Sequence, residues 1–264
     1  MFKKMRRFIP LFLLIVIVSS CKYEKLLKSR DYRLKYNKAL EYYAEEDYMR
    51  AEGLLEQLKP ILKGTEQADT VFFYGAYCSY NQKEYLLAAH YFNEFKGFFA
   101  NSPYAEEAEY MSAYCMYLQT PRSSLDQSYT YQAISALSIY MSRYPNSDRA
   151  GECIRIIGEL RDKLVDKSYQ NAKLYFELGD YTAAIIALNT SLDDFPETKY
   201  REEIMYLVLR SKYLLAEGSI QNKKVERYQS AVDEYYSFLD EFPESEYMKD
   251  AVEMFDNSNA ILKN

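Results

Sequence analysis

Apolar and aromatic positions recur along this chain at helical spacing, and the recurrence is itself repeated. Tyr48-Met-Arg-Ala51, Tyr85-Leu-Leu-Ala88, Tyr181-Thr-Ala-Ala184 and Tyr228-Gln-Ser-Ala231 each place an alanine three residues after a tyrosine. Tyr131-Gln-Ala133 is a looser copy. Four residues after the alanines of the four full copies stand Leu55, Phe92, Leu188 and Tyr235. Spacings of three and four put these side chains on one helix face. Twelve residues before three of the alanines lies another small residue, at Ala39, Ala76 and Ala172, so a copy reads as two helices closely apposed. The tyrosines step by 37, 46, 50 and 47 residues, which predicts about five hairpins with long helices or inserted loops.

The joints between copies carry their own pattern. Pro145-Asn-Ser147, Pro196-Glu-Thr198 and Pro243-Glu-Ser245 set a hydroxyl two residues after a proline, and Ser102 precedes Pro103. Proline ends one helix, and Ser or Thr is suited to cap the next. Two polar stretches, Thr120 to Ser128 and Gly218 to Lys224, read as surface insertions,. This is the tetratricopeptide pattern. The predicted fold is all-α, a right-handed α-solenoid of about five hairpins over residues 33–264. The first helix of each hairpin (helix A) lines the concave side of such solenoids. Tyrosines crowd those helices, and Tyr36, Tyr43, Tyr74, Tyr77 and Tyr110 are the candidate peptide-binding residues. Tyrosine offers contact area and a hydroxyl at low entropic cost. Packing between neighbouring helices A competes for the same rings.

The N-terminus has a different pattern. Lys3, Lys4, Arg6 and Arg7 precede an apolar run from Phe8 to Val18. That run is shorter than the roughly 20 residues a membrane span needs. It ends in Val18-Ser19-Ser20-Cys21, so residues 1–20 read as a secretory signal peptide. The small residues before Cys21 resemble a bacterial lipobox. That resemblance implies cleavage before Cys21, acylation of Cys21, and a lipidated N-terminus and tether over residues 21–32.

Composition narrows the function. The four basic residues of the signal leave with it, which takes the net charge from −6 to −10. An acidic chain lacks the footprint of a nucleic-acid binder. Glycine and proline, 8 and 7 in 264 residues, are too few for the turns of a strand-rich fold. Cys78, Cys115 and Cys153 form no CxxC pair and read as buried apolar thiols,. His90 is the one histidine, and no nucleophile-elbow, zincin, P-loop or dinucleotide motif is present. No catalytic residue, metal or cofactor is expected.

Several stretches carry a family resemblance. They are Tyr110-Met111 through Leu125-Asp-Gln127, Ala133, Tyr144-Pro-Asn-Ser147, Ala150, Leu160 and Leu164, continuing through Ala172, Tyr175, Gly179, Tyr181, Ala184, Asp194, Pro196 and Thr198. With the lipobox and the repeat count, these resemble the BamD family, the lipoprotein subunit of the bacterial outer-membrane β-barrel assembly machine. Lys59-Pro-Ile-Leu-Lys-Gly64 departs from that family's usual Tyr-Pro ending of the first repeat. The resemblance implies a non-enzymatic scaffold, lipid-anchored on the periplasmic face of the outer membrane. Its partners would be a BamA-like insertase subunit, held by the C-terminal repeats, other assembly subunits, and unfolded outer-membrane proteins met by the N-terminal repeats. The alternative is a periplasmic tetratricopeptide adaptor that coordinates envelope constriction or wall synthesis.

Overall fold

The computed structural model describes residues 22–263, so the signal segment and Cys21 lie outside the described residues. Among the described residues the regular structure is entirely helical. Residues 22–27 form a short helix. The longer helices are α1 (Tyr32–Ala44), α2 (Tyr48–Leu62), α3 (Ala68–Asn81), α4 (Tyr85–Phe98), α5 (Ala105–Leu118), α6 (Ser128–Arg143), α7 (Ala150–Glu177), α8 (Tyr181–Asp194), α9 (Arg201–Glu217), α10 (Gln221–Glu241) and α11 (Met248–Leu262). They pair in sequence as five hairpins, and α11 follows the last.

The chain forms two compact units. Unit 1 takes residues 22–121 and 126–157, and unit 2 takes 122–125 and 158–263. In unit 1 a core of Ala39, Ala51, Leu54, Leu55, Leu58, Val71 and Cys78 fills the first hairpin and its neighbour. In unit 2 the core joins Tyr169, Ala172, Ala184, Leu188, Ile204, Val208, Phe238, Ala251 and Met254. The alanines of the repeat pattern are sealed. Ala39, Ala51, Ala76, Ala88, Ala172 and Ala184 are at most 1% exposed. A larger side chain at these contacts forces the helices apart.

Three-residue turns make α1–α2, α3–α4 and α7–α8 antiparallel. Each turn closes identically, with Asp47, Glu84 and Asp180 donating their backbone N–H five residues back, to the carbonyls of Tyr42, Ser79 and Tyr175. The middle residue must then be left-handed, and Glu46, Lys83 and Gly179 have φ of 61°, 65° and 77°. This is the closure of a Schellman-type helix end. Asp47 and Asp180 also cap the following helix, accepting from the N–H of Arg50 and Ala183.

The prolines act as expected. Pro145, Pro196 and Pro243 each lie two residues beyond the ends of α6, α8 and α10. The hydroxyl residues act one step earlier than a helix N-cap. Ser102, Ser147, Thr198 and Ser245 accept the N–H two residues on, at 3.0–3.2 Å. They close a tight turn, and the helix starts one residue later, at Ala105, Ala150, Arg201 and Met248. The first joint differs. Pro60 sits in the last turn of α2 without ending it, and Gly64, with φ 85°, turns the chain.

The two insertions part ways. Residues 119–127 form a loop between α5 and α6, with Gln127 buried and accepting the Thr130 hydroxyl at 2.7 Å. Gly218 to Lys224 is mostly helix, because α10 begins at Gln221. No Gly or Pro follows Ser219 until Pro243, so the polar stretch lengthens the helix to 21 residues. Residues 22–32 differ from a free tether in the same way: 22–27 are helical and Leu26 is buried in the unit 1 core.

Candidate peptide-binding face

The helix A tyrosines sort by their distance from the sealed small residue. Three positions before it stand Tyr36, Phe73, Tyr110, Tyr169 and, counted from Leu209, Tyr206. One position after it stand Leu40, Tyr77 and Tyr114 in unit 1 but Lys173 and Arg210 in unit 2. Four positions after it stand Tyr43, Tyr80, Tyr117, Phe176 and Tyr213. Steps of three and four keep all these on one helix face.

The first set meets the joints. The residue two after each hydroxyl lays a flat group on it. Tyr104 stacks on Phe73 with centroids 4.4 Å apart, Tyr200 on Tyr169 at 4.0 Å, and Tyr247 on Tyr206 at 4.3 Å. At the α6–α7 joint the residue is Arg149, and its guanidinium lies 4.4 Å from the Tyr110 ring centre. Such stacked pairs hold adjoining helices A by about 0.5–1.5 kcal/mol beyond the area they bury.

The tyrosines of the other two sets, joined through Tyr74 and Phe73, form a ladder in unit 1. Tyr43 meets Tyr74 edge to face at 4.6 Å. Phe73 contacts both Tyr74 and Tyr77. Tyr77 leads to Tyr80 at 6.1 Å, Tyr80 to Tyr114 at 6.5 Å, and Tyr114 to Tyr117 at 5.7 Å. The path crosses α1, α3 and α5, and every tyrosine on it is half-buried. Each ring packs along one side and leaves another to solvent. The Tyr77 hydroxyl donates to Glu107 at 2.7 Å, and Arg149 holds both oxygens of the same carboxylate at 2.9 and 3.0 Å. Burial, and then the bond to Glu107, push the Tyr77 phenol well above its ordinary range,. Burial likewise pushes Tyr43 up to about 12. Tyr43 and Tyr77 therefore keep neutral hydroxyls at physiological pH, and the ladder presents aromatic faces with one carboxylate and one guanidinium at its side.

A match to a family model extends over residues 30–226, described as YfiO, outer membrane lipoprotein. The chain belongs to that family of outer membrane lipoproteins. Among solved structures it is similar to the tetratricopeptide (TPR) domain of P58(IPK), with 15% identity over 91% of this chain and 68% of the other and a TM-score of 0.42. It is also similar to a TPR repeats protein from Bacteroides fragilis NCTC 9343, with 14% identity over 88% of this chain and 100% of the other and a TM-score of 0.39. Membership in the YfiO family assigns the chain to the outer membrane.

Of the five tyrosines singled out in the sequence, Tyr43, Tyr74 and Tyr77 are neighbours on the ladder. Tyr36 is half-buried and packs on the first core. Tyr110 is 3% exposed, sandwiched between Tyr114 and Arg149. Its ring is spent on the joint, and burial pushes its phenol up to about 12. Sequence reasoning missed Tyr114, Glu107 and Arg149. The Ser-x-Tyr joints, broken by arginine at position 149, are the signal that finds the last. Cys78, Cys115 and Cys153 are buried free thiols, and burial pushes Cys78 and Cys115 up to about 12. Among the described residues no group of three His, Cys, Asp or Glu side chains is placed to hold a metal ion, and no helix is long and apolar enough to cross a membrane.

Unit 2 has a different exposed feature. Leu174 in the last turn of α7 and Leu178 just past its end are 51% and 71% exposed, and Ile186 on α8 is 64% exposed.

Proposed function

We propose that the chain is a non-catalytic scaffold of outer-membrane β-barrel assembly, anchored through acylated Cys21 to the periplasmic leaflet. Its unit 1 ladder receives extended segments of unfolded barrel proteins. The exposed apolar positions of unit 2 receive the periplasmic domains of the insertase.

One observation carries the ladder's part. The position after the small residue is Lys173 and Arg210 in unit 2, where Lys173 pairs with Glu203 at 2.8 Å. Packing of helices A is thus complete without a tyrosine there. The rings of Tyr77 and Tyr114 exceed what the repeat needs, and they continue from helix to helix. A strand of an unfolded barrel alternates large apolar and polar side chains. Laid along the ladder, it sets alternate side chains between rings while phenol hydroxyls meet its backbone.

A fluorescent peptide of alternating pattern ending in an aromatic residue tests this by titration. Tyr43→Ser, Tyr80→Ser and Tyr114→Ser combined are expected to weaken binding at least about ten-fold while the circular dichroism spectrum stays helical. Unchanged affinity rejects the ladder as the site.

A further inference from the structure

The short helix over residues 22–27 has an inward and an outward face. Its inward face docks on the first hairpin. Leu26 is buried, and the Tyr23 ring meets Tyr42 edge-on at 5.8 Å. The Tyr23 hydroxyl donates to the Arg50 carbonyl at 3.1 Å, and the Lys35 ammonium donates to the Leu27 carbonyl at 2.9 Å. Gly53 makes the room, since a Cβ there would meet the Tyr23 hydroxyl at 2.5 Å. At about 100° per residue, Lys25 and, just past the helix end, Lys28 fall on the opposite side from Tyr23, Leu26 and Leu27, and Lys22 lies at the edge between the two faces,. All three lysines are exposed, as are Arg30 and Arg33. Lys28 touches Glu24 only at 3.6 Å, with both side chains mostly in water. Tyr32 and Leu34 beside them are 51% and 45% exposed.

Charge separates this segment from everything after it. Residues 22–33 hold Lys22, Lys25, Lys28, Arg30 and Arg33 against Glu24 and Asp31, a balance of +3. Of the −10 left once the signal is gone, −13 therefore falls on residues 34–264.

We propose that the basic face of residues 22–33 is a membrane-contact surface that lies on anionic phospholipid headgroups and holds the first hairpin against the bilayer. The proposal rests on the reading of Cys21 as the acylated residue. Cys21 is two residues from Tyr23, at most about 7 Å of chain, and Tyr23 is fixed on α2. An anchor there has almost no slack, so the lysine face must lie at the headgroups. A lipid chain joined to a basic patch is a stable two-part anchor. Each basic side chain near an anionic surface strengthens attachment about five-fold, while the acidic remainder is repelled from the same surface. Exposed Tyr32 and Leu34 suit the interfacial zone.

The test uses the lipoprotein purified from membranes. The mass of its N-terminal peptide decides the anchor reading by itself. For the basic face, Tyr32→Cys is labelled with a dye, which the buried native thiols leave to the introduced one. The protein is placed in vesicles carrying a headgroup quencher, either pure phosphatidylcholine or phosphatidylcholine mixed with phosphatidylglycerol. A chain found unacylated is used as Cys21→Ser, so that the dye still reports Tyr32→Cys alone, and is added to the same vesicles from solution, so the face is tested in either case. Quenching is expected to be severalfold stronger with phosphatidylglycerol. High salt, or Lys22→Gln, Lys25→Gln and Lys28→Gln together, should abolish the difference. Quenching that ignores lipid charge, or a triple variant that behaves as the parent, overturns the proposal.

Discussion

In unit 2 the helix A aromatics three positions before the sealed residue, Tyr169 and Tyr206, are covered, whereas Tyr175 is 44% exposed. Tyr206 lies beneath the Tyr247 ring, and its hydroxyl ends on Asp250 at 2.5 Å. Tyr169 lies beneath Tyr200, whose hydroxyl ends on Asp166 at 2.9 Å. Arg210 sits over Phe176 and Tyr206, and Lys173 reaches Tyr169 and Glu203. In unit 1 the matching positions carry Tyr77, Tyr80 and Tyr114, whose rings touch one another and stay half-open. The same hairpin thus has two surfaces. Where Lys173 and Arg210 stand, they lie against neighbouring rings and the surface is charged. Where Tyr77 and Tyr114 stand instead, aromatics line up and remain available. The difference lies in side chains the repeat leaves free, and such positions are where function is written onto a scaffold.

The comparison breaks most visibly if the two kinds of tyrosine are equally structural. Tyr206 is 6% exposed and belongs to the unit 2 core. Tyr206→Ala is expected to cost about 3–5 kcal/mol, as for a packed aromatic. Tyr80→Ala removes a half-buried ring with one edge and two tilted ring contacts and is expected to cost under about 2 kcal/mol. Urea unfolding of both variants measures this. Equal losses would make the ladder ordinary core.

The sequence showed the hairpins because their crossings admit only small side chains. Ala39 with Ala51, Ala76 with Ala88 and Ala172 with Ala184 mark three of them. Gly179 showed a turn, since a left-handed residue there favours glycine. Glu46 and Lys83 hold the same conformation without any residue-type mark, and their turns were legible only by position. The hydroxyls at the joints were visible, but the flat group two residues on was not. Tyr104, Tyr200 and Tyr247 gain meaning only beside the rings they cover, which lie 31 to 41 residues earlier. For the same reason Tyr110 was grouped with the exposed tyrosines. Its spacing gives its helix face, whereas its burial depends on Arg149 from the α6–α7 joint. The extension of α10 was hidden because lysines stand where an apolar stripe would announce a helix.

Position 149 sharpens the comparison at intermediate cost. The other joints that carry a flat group use a tyrosine, so Arg149→Tyr should lay a ring on Tyr110. The exposed pair with Glu107 is worth at most about 1 kcal/mol, and a stacked ring returns about 0.5–1.5 kcal/mol. Thermal unfolding should therefore place Arg149→Tyr within about 1 kcal/mol of the parent. Arg149→Ala, which loses both interactions, should fall about 1–2 kcal/mol below it. If tyrosine proves as damaging as alanine, the guanidinium is needed for its charge beside the Tyr77–Glu107 pair and the four joints are not equivalent.

The smallest effect concerns the turns. Glu46 and Lys83 adopt left-handed φ of 61° and 65° in unit 1, where Gly179 serves the same turn in unit 2 at 77°. A side chain in that conformation crowds the following carbonyl by roughly 1–2 kcal/mol, and glycine relieves it. Glycine also gains freedom in the unfolded chain, which takes back part of the relief. Glu46→Gly and Lys83→Gly should therefore each stabilise the protein by about 0.5–1 kcal/mol, and Gly179→Ala should destabilise it by about as much. Glu46 is exposed and makes no side-chain hydrogen bond or ion pair among the described residues, so its substitution isolates the backbone effect. A loss of stability in Glu46→Gly would mean that the unit 1 turns are held by something other than the closure they share with Gly179.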